Sequence, residues 1–129
     1  MPEPKKCPFC PISEREILAT HPLAAAVIDS FPLTLGHTLI VPHRHVASFF
    51  ELTDDERLAI LELLDGAKAA LDREYAPDGY NIGINDGTAA GQTVMHLHVH
   101  LIPRYKGDAD DPRGGVRWIF PRKADYWNK

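Results

Sequence analysis

The sequence predicts an α+β domain: about five antiparallel strands in a meander sheet, with one long helix on one face and a short helix besides. Three features predict this class of fold. Residues 96–102 alternate histidine with aliphatic residues at the period of two of a strand. Other short apolar runs are separated by turn residues, and residues 54–75 repeat apolar side chains at the spacing of a helix.

Size and charge narrow the possible functions. The chain has 129 residues, enough for one domain, and a formal net charge of -4, which gives no basic footprint for nucleic acid but allows a small anionic ligand. It contains no apolar run of about 20 residues, the length that spans a bilayer. Residues 1–6 also lack the apolar core of a signal peptide. We therefore expect a cytoplasmic protein that uses neither a membrane nor nucleic acid as a partner.

Reduced thiols are expected in that compartment, so Cys7 and Cys10 are interpreted as ligands or free thiols. A lone Cys-x-x-Cys is a weak signal. A redox role would need a buried strand before the motif, whereas only six residues precede Cys7. Half of a zinc site is the favoured interpretation, with the other ligands supplied elsewhere in the chain.

The first half of the chain predicts three strands. Two apolar runs, at residues 17–19 and 23–28, flank a turn at Pro22, and Asp29 ends the second run. The third strand is predicted over residues 36–42, entered through Gly36 and closed by Pro42, which cannot donate to a strand ladder.

The second half predicts the helix and a hairpin. Thr53 and Glu56 form a capping box, and an apolar stripe continues to Tyr75, with Pro77 preventing further helix. Residues 79–85 alternate with period two and precede a turn at 86–91, so they predict a β-hairpin with the histidine strand. Gly83 and Asn85 would then share the histidine face.

The C-terminal residues divide into a polar and an aromatic part. Residues 108–117 are rich in charge, proline and glycine and predict an exposed loop. Residues 118–121 and 126–127 are too apolar for a free tail, so we expect them to pack on the domain or across a subunit interface.

The three alternating imidazoles of His96, His98 and His100 suggest a metal site, but strand geometry limits it. Residues i and i+4 of a strand lie about 13 Å apart, whereas a zinc–imidazole bond is about 2.0–2.1 Å long. The three rings of a regular strand therefore cannot share one zinc ion. At least one histidine is free for other chemistry.

Residues 96–102 match the His-x-His-x-His-x-x signature of the histidine triad (HIT) superfamily of nucleotidyl hydrolases and transferases. The flanks, Gly91-Gln92-Thr93-Val94 and Pro103-Arg104, most resemble the dinucleoside polyphosphate hydrolase branch, also called fragile histidine triad-like. The similarity runs from about residue 7 to residue 104, which predicts a single HIT domain over 1–129 with a C-terminal extension at 105–129. The resemblance also implies a homodimer.

The resemblance implies a role for each site residue. His98 is the expected nucleophile at the α-phosphorus of a purine nucleotide or dinucleotide, within a catalytic group of His98, His96, His100 and His37. Asp29 either contacts a ribose hydroxyl or is a solvated turn residue. The phosphate oxygens are expected to contact His100, Asn85, Gln92 and Thr93. A structural zinc ion is expected on Cys7, Cys10, His45 and His96, whereas His21 and His43 are interpreted as surface residues.

The function expected from these residues is hydrolysis of dinucleoside polyphosphates through a nucleotidyl-histidine intermediate. A nucleoside phosphoramidate hydrolase is the close alternative. A catalytic-zinc hydrolase and a non-enzymatic nucleotide-binding module are alternatives from other classes. Magnesium accompanying the nucleotide is a further cofactor to consider beside zinc.

Overall fold

The computed structural model describes residues 7–12 and 15–128. The expectation about residues 1–6 lies outside this range. Two helices are α1 (Asp54–Tyr75) and α2 (Pro121–Ala124). The five strands are β1 (Ile17–Thr20), β2 (Ala24–Ile28), β3 (Thr38–Pro42), β4 (Gly79–Gly83) and β5 (Val99–Arg104).

The strands form one antiparallel sheet in the order β1-β2-β3-β5-β4. The predicted α+β class is confirmed, with one difference from a strict meander, because β5 lies between β3 and β4. The link from β3 to β4 contains α1, which carries the chain past the place that β5 later fills. The buried β5 thus obtains partners on both edges, and the glycine-containing β4 lies at the edge of the sheet.

Gly36 permits the tight approach of the chain to α1 before β3. Its φ is +88°, and a Cβ there would lie 2.8 Å from Cδ2 of Leu71 and 3.2 Å from Pro103. A glycine satisfies both the positive φ and the lack of space. The β3 strand itself begins two residues later than predicted, at Thr38.

The histidine segment is less regular than its sequence pattern predicted. The strand β5 begins only at Val99, and residues 94–96 form a bend. The expectation of a continuous strand from His96 is therefore wrong. Leu97 N–H donates to the carbonyl of Val46 at 2.7 Å, so a loop supplies the partner that a sheet neighbour would supply. The aliphatic half of the pattern is confirmed, since Leu97, Val99 and Leu101 are buried.

The helix α1 has the predicted boundaries and cap. The Thr53 Oγ1 accepts from Glu56 N–H at 3.1 Å, and the Glu56 carboxylate accepts from Thr53 N–H at 2.9 Å. Arg44 donates to the same buried carboxylate at 2.7 and 3.2 Å, which holds the pKa of Glu56 at about 2. The cap therefore also ties the start of α1 to the loop between β3 and α1 that carries His45.

Apolar side chains cover both faces of the central strands. On one face α1 packs through Ile60, Leu63 and Leu71 against the sheet. On the opposite face the N-terminal segment packs through Phe9 and Ile12, together with residues of β2 and β3. This second face also carries His100, since His100 pairs with Leu39 across the β3–β5 ladder.

The C-terminal segment folds back on its own domain. A 3-10 helix at Gly115–Ile119 approaches β4, and a Cβ on Gly115 would lie 3.2 Å from Asn81. The Trp118 Nε1–H donates to the Arg113 carbonyl at 2.7 Å, and Ala124 is fully buried. The predicted packing on the domain is therefore only partial, since Trp118, Ile119 and Phe120 remain 45%, 74% and 68% exposed. No helix among the described residues is both long and apolar enough to cross a membrane.

Replacing the capping side chain of α1 should destabilise the domain. We expect Thr53→Ala to lower the free energy of unfolding by about 1 kcal/mol, because the first turn loses an acceptor for a backbone N–H. Urea unfolding followed by circular dichroism measures this change. Asp65→Asn, an exposed change in the same helix, should stay within about 0.5 kcal/mol of the parent. Equal stability of the three proteins would show that the cap contributes nothing.

Candidate functional site

His98 is held in one tautomer by the backbone. Its Nδ1–H donates to the carbonyl of His96 at 2.9 Å, in the bend that precedes β5. Because a carbonyl only accepts hydrogen bonds, the proton lies on Nδ1 and the Nε2 atom keeps its lone pair. The half-buried ring therefore presents an unprotonated nitrogen.

His37 and His100 form a hydrogen-bonded relay. The N–H of Leu33 donates to His37 Nδ1 at 3.1 Å, which places the His37 proton on Nε2. His37 Nε2–H then donates to His100 Nδ1 at 3.0 Å and lies 3.4 Å from an Asp29 carboxylate oxygen. The relay leaves the proton of His100 on its Nε2 atom. The site therefore contains two neighbouring rings, His98 with an Nε2 that accepts hydrogen bonds and His100 with an Nε2–H that donates them.

His96 faces away from the other two imidazoles. Its Nε2–H donates to the Pro42 carbonyl at 2.8 Å, so its Nδ1 is unprotonated. That Nδ1 lies 3.1 Å from His45 Nδ1, 3.4 Å from Cys7 Sγ and 3.5 Å from Cys10 Sγ. The four residues expected to hold a metal are thus brought together, with all four ligand atoms within 4.8 Å of one another.

The spacing of these four atoms fits a tetrahedral metal ion. Zinc bonds of about 2.3 Å to sulfur and 2.0–2.1 Å to nitrogen give edges of about 3.3–3.8 Å. Three of the four sulfur–nitrogen distances are 3.4–3.5 Å, and the nitrogen–nitrogen distance is 3.1 Å. The sulfurs lie closer, at 2.9 Å, so an ion would separate them by less than about 1 Å. Two thiols and two imidazoles are the donor set that zinc prefers.

Burial keeps the inner imidazoles neutral. Loss of water lowers the pKa of His37, His96 and His100, and for His100 the neighbouring His98 and His37 lower it further. Asp29 opposes this effect at His37 and His100. All three rings are consequently uncharged at neutral pH, as the hydrogen-bond relay and metal ligation both require.

A cavity of about 380 Å³ opens beside His98 and His100. Its wall includes the apolar side chains of Phe9, Phe31 and Leu39 and the carboxylate of Asp29. One Asp29 oxygen accepts from Phe31 N–H at 2.8 Å, so this side chain is a turn residue as well as a cavity residue. The cavity combines an apolar floor with a carboxylate, next to two imidazoles.

Three of the four expected phosphate contacts, those other than His100, lie in different places. Thr93 lines the cavity beside His98, while Asn85 lines a neighbouring cavity. Gln92 is buried, and its amide donates to the carbonyls of Ala47 and Val94 while its oxygen accepts from Gly87 N–H. Gln92 therefore shapes the loop before the histidines, and its hydrogen bonds are already made by backbone groups.

Several residues that define the site carried no sequence signal. The Pro42 and His96 carbonyls and the Leu33 N–H set the tautomers, yet any residue supplies such groups. Phe9 packs at 5.5 Å from the His96 ring and 5.6 Å from the His98 ring, measured between centroids. Its position between two cysteines could have indicated this contact. His43 and His21 lie outside the cluster, with His43 contacting the His21 carbonyl, as their surface interpretation expected.

This fold and these imidazoles define a class of protein in which an antiparallel sheet presents a histidine with a free nitrogen beside a four-ligand cluster. The family model for the HIT domain matches residues 12–107. The chain therefore belongs to the HIT family, which confirms the resemblance to histidine triad proteins.

Relatives in this family have varied descriptions. The chain is 41% identical to an uncharacterised HIT-like protein of Methanocaldococcus jannaschii, covering 81% of this chain and 83% of the relative. It is 37% identical to an AP-4-A phosphorylase of Mycobacterium tuberculosis, over 73% of this chain and 49% of that protein. It is 38% identical to an asymmetrical bis(5'-nucleosyl)-tetraphosphatase of Schizosaccharomyces pombe, over 67% and 47%. The chain thus spans about half the length of the last two proteins.

Solved structures agree with the family. A HIT family protein of Bacillus anthracis aligns with a TM-score of 0.74 and 34% identity, covering 80% of this chain and 76% of that one. A Zn-bound histidine triad family protein of Mycobacterium smegmatis aligns with a TM-score of 0.73 and 31% identity, covering 82% and 80%.

The neutrality of the relay can be tested by NMR titration. We expect the imidazoles of His37 and His100 to titrate below pH 6.5, the value of a free histidine, because burial disfavours their charged forms. Asp29→Asn should move both midpoints further down, since Asp29 raises the pKa of each ring. Midpoints above 6.5 in the parent protein would contradict the assigned relay.

Proposed function

We propose that the protein hydrolyses dinucleoside polyphosphates at the α-phosphate through a nucleotidyl-histidine intermediate on His98. The observation that carries this proposal is the tautomer of His98, whose proton is held on Nδ1 by a carbonyl at 2.9 Å. The His98 ring lines a cavity of about 380 Å³ together with the donor His100 and an apolar wall. The two relatives described as acting on dinucleoside tetraphosphates support the substrate class.

The chemical steps follow from the two tautomers. The Nε2 lone pair of His98 forms a bond to the α-phosphorus, and the bond to the bridging oxygen breaks, with its electron pair leaving on the departing nucleotide. The imidazole gains positive charge, which its Nδ1–H shares with the His96 carbonyl. The His100 Nε2–H donates to a phosphoryl oxygen as charge develops there. Water then cleaves the phosphorus–nitrogen bond, releasing a mononucleotide and restoring His98.

The cavity beside His98 suits the nucleoside of the transferred half. Phe9, Phe31 and Leu39 offer apolar surface to a base, and the second Asp29 oxygen accepts from a ribose hydroxyl in this proposal. Thr93 is the proposed side-chain donor to the phosphate. Gln92 acts by holding the loop that carries Thr93, because its own amide is engaged with three backbone groups.

The alternatives differ in how they use the same residues. A nucleoside phosphoramidate would react by the same attack of His98, with an amine as leaving group. A catalytic-zinc hydrolase needs an open coordination position near the substrate, whereas the Cys7, Cys10, His45 and His96 cluster already offers four ligands and excludes His98. A binding module would have no need for a nitrogen held unprotonated next to a hydrogen-bond donor.

We further propose that the four-ligand cluster holds a structural zinc ion. Such an ion would link the N-terminal segment to the loop after β3 and to the bend before His98. The Zn-bound Mycobacterium smegmatis structure supports this metal. Magnesium has no similar support. The other potential ligand group among the described residues is Asp29 with His37 and His100. It has a single carboxylate, whereas magnesium prefers oxygen ligands. Magnesium would arrive with the substrate phosphates.

Two broader expectations accompany this function. We propose a homodimer, and the described structure supports it through large exposed apolar side chains such as Leu58 and Leu61 on α1 and Ile82 on the edge strand β4. A cytoplasmic location stays a prediction from the sequence.

The proposed nucleophile is tested by substitution and trapping. His98→Asn should bind nucleotide and keep the fold, yet lose turnover by at least about 10³-fold, roughly 4 kcal/mol of transition-state stabilisation. His100→Asn should lose about 10²–10³-fold, the effect of one donor to a developing charge. Rapid quenching with substrate, followed by mass spectrometry, should show a nucleotidyl adduct on His98. An adduct elsewhere, or full activity of His98→Asn, would remove the basis of the proposal.

Elemental analysis tests the metal. The parent protein purified without chelators should contain one zinc ion per chain, and His45→Ala should lose it together with thermal stability. His43→Ala is the matched control, because this neighbour lies outside the cluster and should retain the ion. Cys7→Ser should likewise lower the melting temperature more than the rate per folded molecule. Metal-free parent protein would refute the assignment.

Light scattering at micromolar concentration tests the dimer. The expected mass is twice the chain mass of 14.4 kDa. Replacement of the exposed Leu61 by lysine should shift the mass towards one chain if α1 contributes to the contact. A parent protein with the mass of a single chain would contradict the dimer proposal.

A further inference from the structure

A second and larger cavity of about 970 Å³ lies next to the first. His100 and Leu33 line both cavities, so they share a wall. The far side of the larger cavity is built by the C-terminal segment, including Val116, Trp118 and Ile119. The residue motifs that predicted the site lie outside this segment.

The two cavities follow the direction of β5. Alternate residues of a strand share a face, so His100, Ile102 and Arg104 point to the same side. The smaller cavity contains His98, whereas the larger one contains Ile102 and Arg104 as well as His100. From His98 to Arg104 the backbone covers about 20 Å. A mononucleotide bound at His98 would leave the larger cavity empty, whereas two nucleosides joined by a polyphosphate would be long enough to reach both.

The wall of the larger cavity is mainly apolar. Its large apolar side chains are Leu33, Ile102, Val116, Trp118 and Ile119. Val116 and Ile119 are 63% and 74% exposed, so a ligand there would remove apolar surface from water. Trp118 is held by its Nε1–H bond to the Arg113 carbonyl at 2.7 Å, which restricts the ring before any ligand arrives.

Two of the three carboxylates that line this cavity are paired with arginines, and Asp110 belongs to none of the ion pairs found among the described residues. Arg104 donates to both oxygens of Asp108 at 2.8 Å and to Asn81 at 2.7 Å. Asp111 accepts from Arg113 at 3.0 Å. The carboxylate of Asp110 would still repel a phosphate in this cavity, so the lining favours a flat, uncharged group.

We propose that this cavity binds the leaving half of the substrate, with the second base packed against Trp118. This inference rests on the proposed function and adds to it a specificity determinant in the C-terminal extension. An in-line displacement places the leaving group on the side of the phosphorus opposite to His98. Because His100 lies between the two cavities, a phosphoryl group bound by His98 and His100 would have its leaving group on the side of Trp118.

Calorimetry with the His98→Asn protein tests the proposal without turnover. Diadenosine tetraphosphate offers two bases and AMP offers one. Adding Trp118→Ala should weaken binding of the dinucleotide about tenfold, the effect of losing one base–aromatic contact, and leave AMP binding within about twofold. Trp118→Phe should retain most of the affinity. Phe120→Ala is the matched control, because Phe120 is an exposed aromatic residue of the same segment that does not line the cavity.

Kinetics of the His98-containing protein supply the second measurement. Trp118→Ala should lower kcat/KM for the dinucleotide about tenfold and leave unchanged that for adenosine 5'-phosphoramidate, whose leaving group is ammonia. Equal weakening of AMP and dinucleotide binding, or no weakening of either, would overturn the proposed base site. Absence of turnover in the parent protein, with the binding difference intact, would refute the hydrolase function and leave the base site standing.

Discussion

The hydrogen bond from His96 Nε2 to the carbonyl of Pro42, 2.8 Å long, is the interaction on which the rest of the site depends. It places the proton of His96 on Nε2 and directs the Nδ1 of the ring towards Cys7, Cys10 and His45. It also holds the bend before β5. The backbone carbonyl of His96 also accepts the hydrogen bond from the Nδ1–H of His98. One buried imidazole thus connects the four-ligand cluster with His98, the proposed nucleophile, and both proposed roles require that it remain uncharged.

The three histidines at alternate positions have three different hydrogen-bond partners. His96 donates to a carbonyl of β3, His98 to a carbonyl of its own bend, and His100 accepts from His37. Their chemistry is therefore decided by the groups at the second nitrogen of each ring. A continuous strand would give the three rings similar surroundings. The bend takes His96 out of that row and brings its ring close to Cys7, Cys10 and His45, which are distant from it in the sequence.

The scaffold beyond the site holds these partners in place. The Glu56 carboxylate closes the N-terminal cap of α1 and also binds Arg44, two residues after Pro42 and next to His45. Asp86 accepts from Ser48 and Phe49, and Gln92 bonds to Ala47, so the loops on both sides of the site are linked. Each link joins the loop after β3 to a distant segment. The geometry of His45 and of the Val46 carbonyl thus depends on contacts from α1 and from the loop before β5.

The sequence by itself determined the elements with strong local signals. The capping box at Thr53 and Glu56, the stripe of α1 and the aliphatic row at Leu97, Val99 and Leu101 are local patterns, and the structure has them where they were predicted. The family signature named the three alternating histidines, and the resemblance to the family implied the group of Cys7, Cys10, His45 and His96, which the structure brings together. Only the tertiary structure decided the rest. The bend at 94–96, the insertion of β5 between β3 and β4, the engaged amide of Gln92 and the tautomers depend on groups brought together from distant parts of the chain. Backbone carbonyls and N–H groups occur at almost every residue, so no pattern of side chains indicates which of them a ring nitrogen will meet.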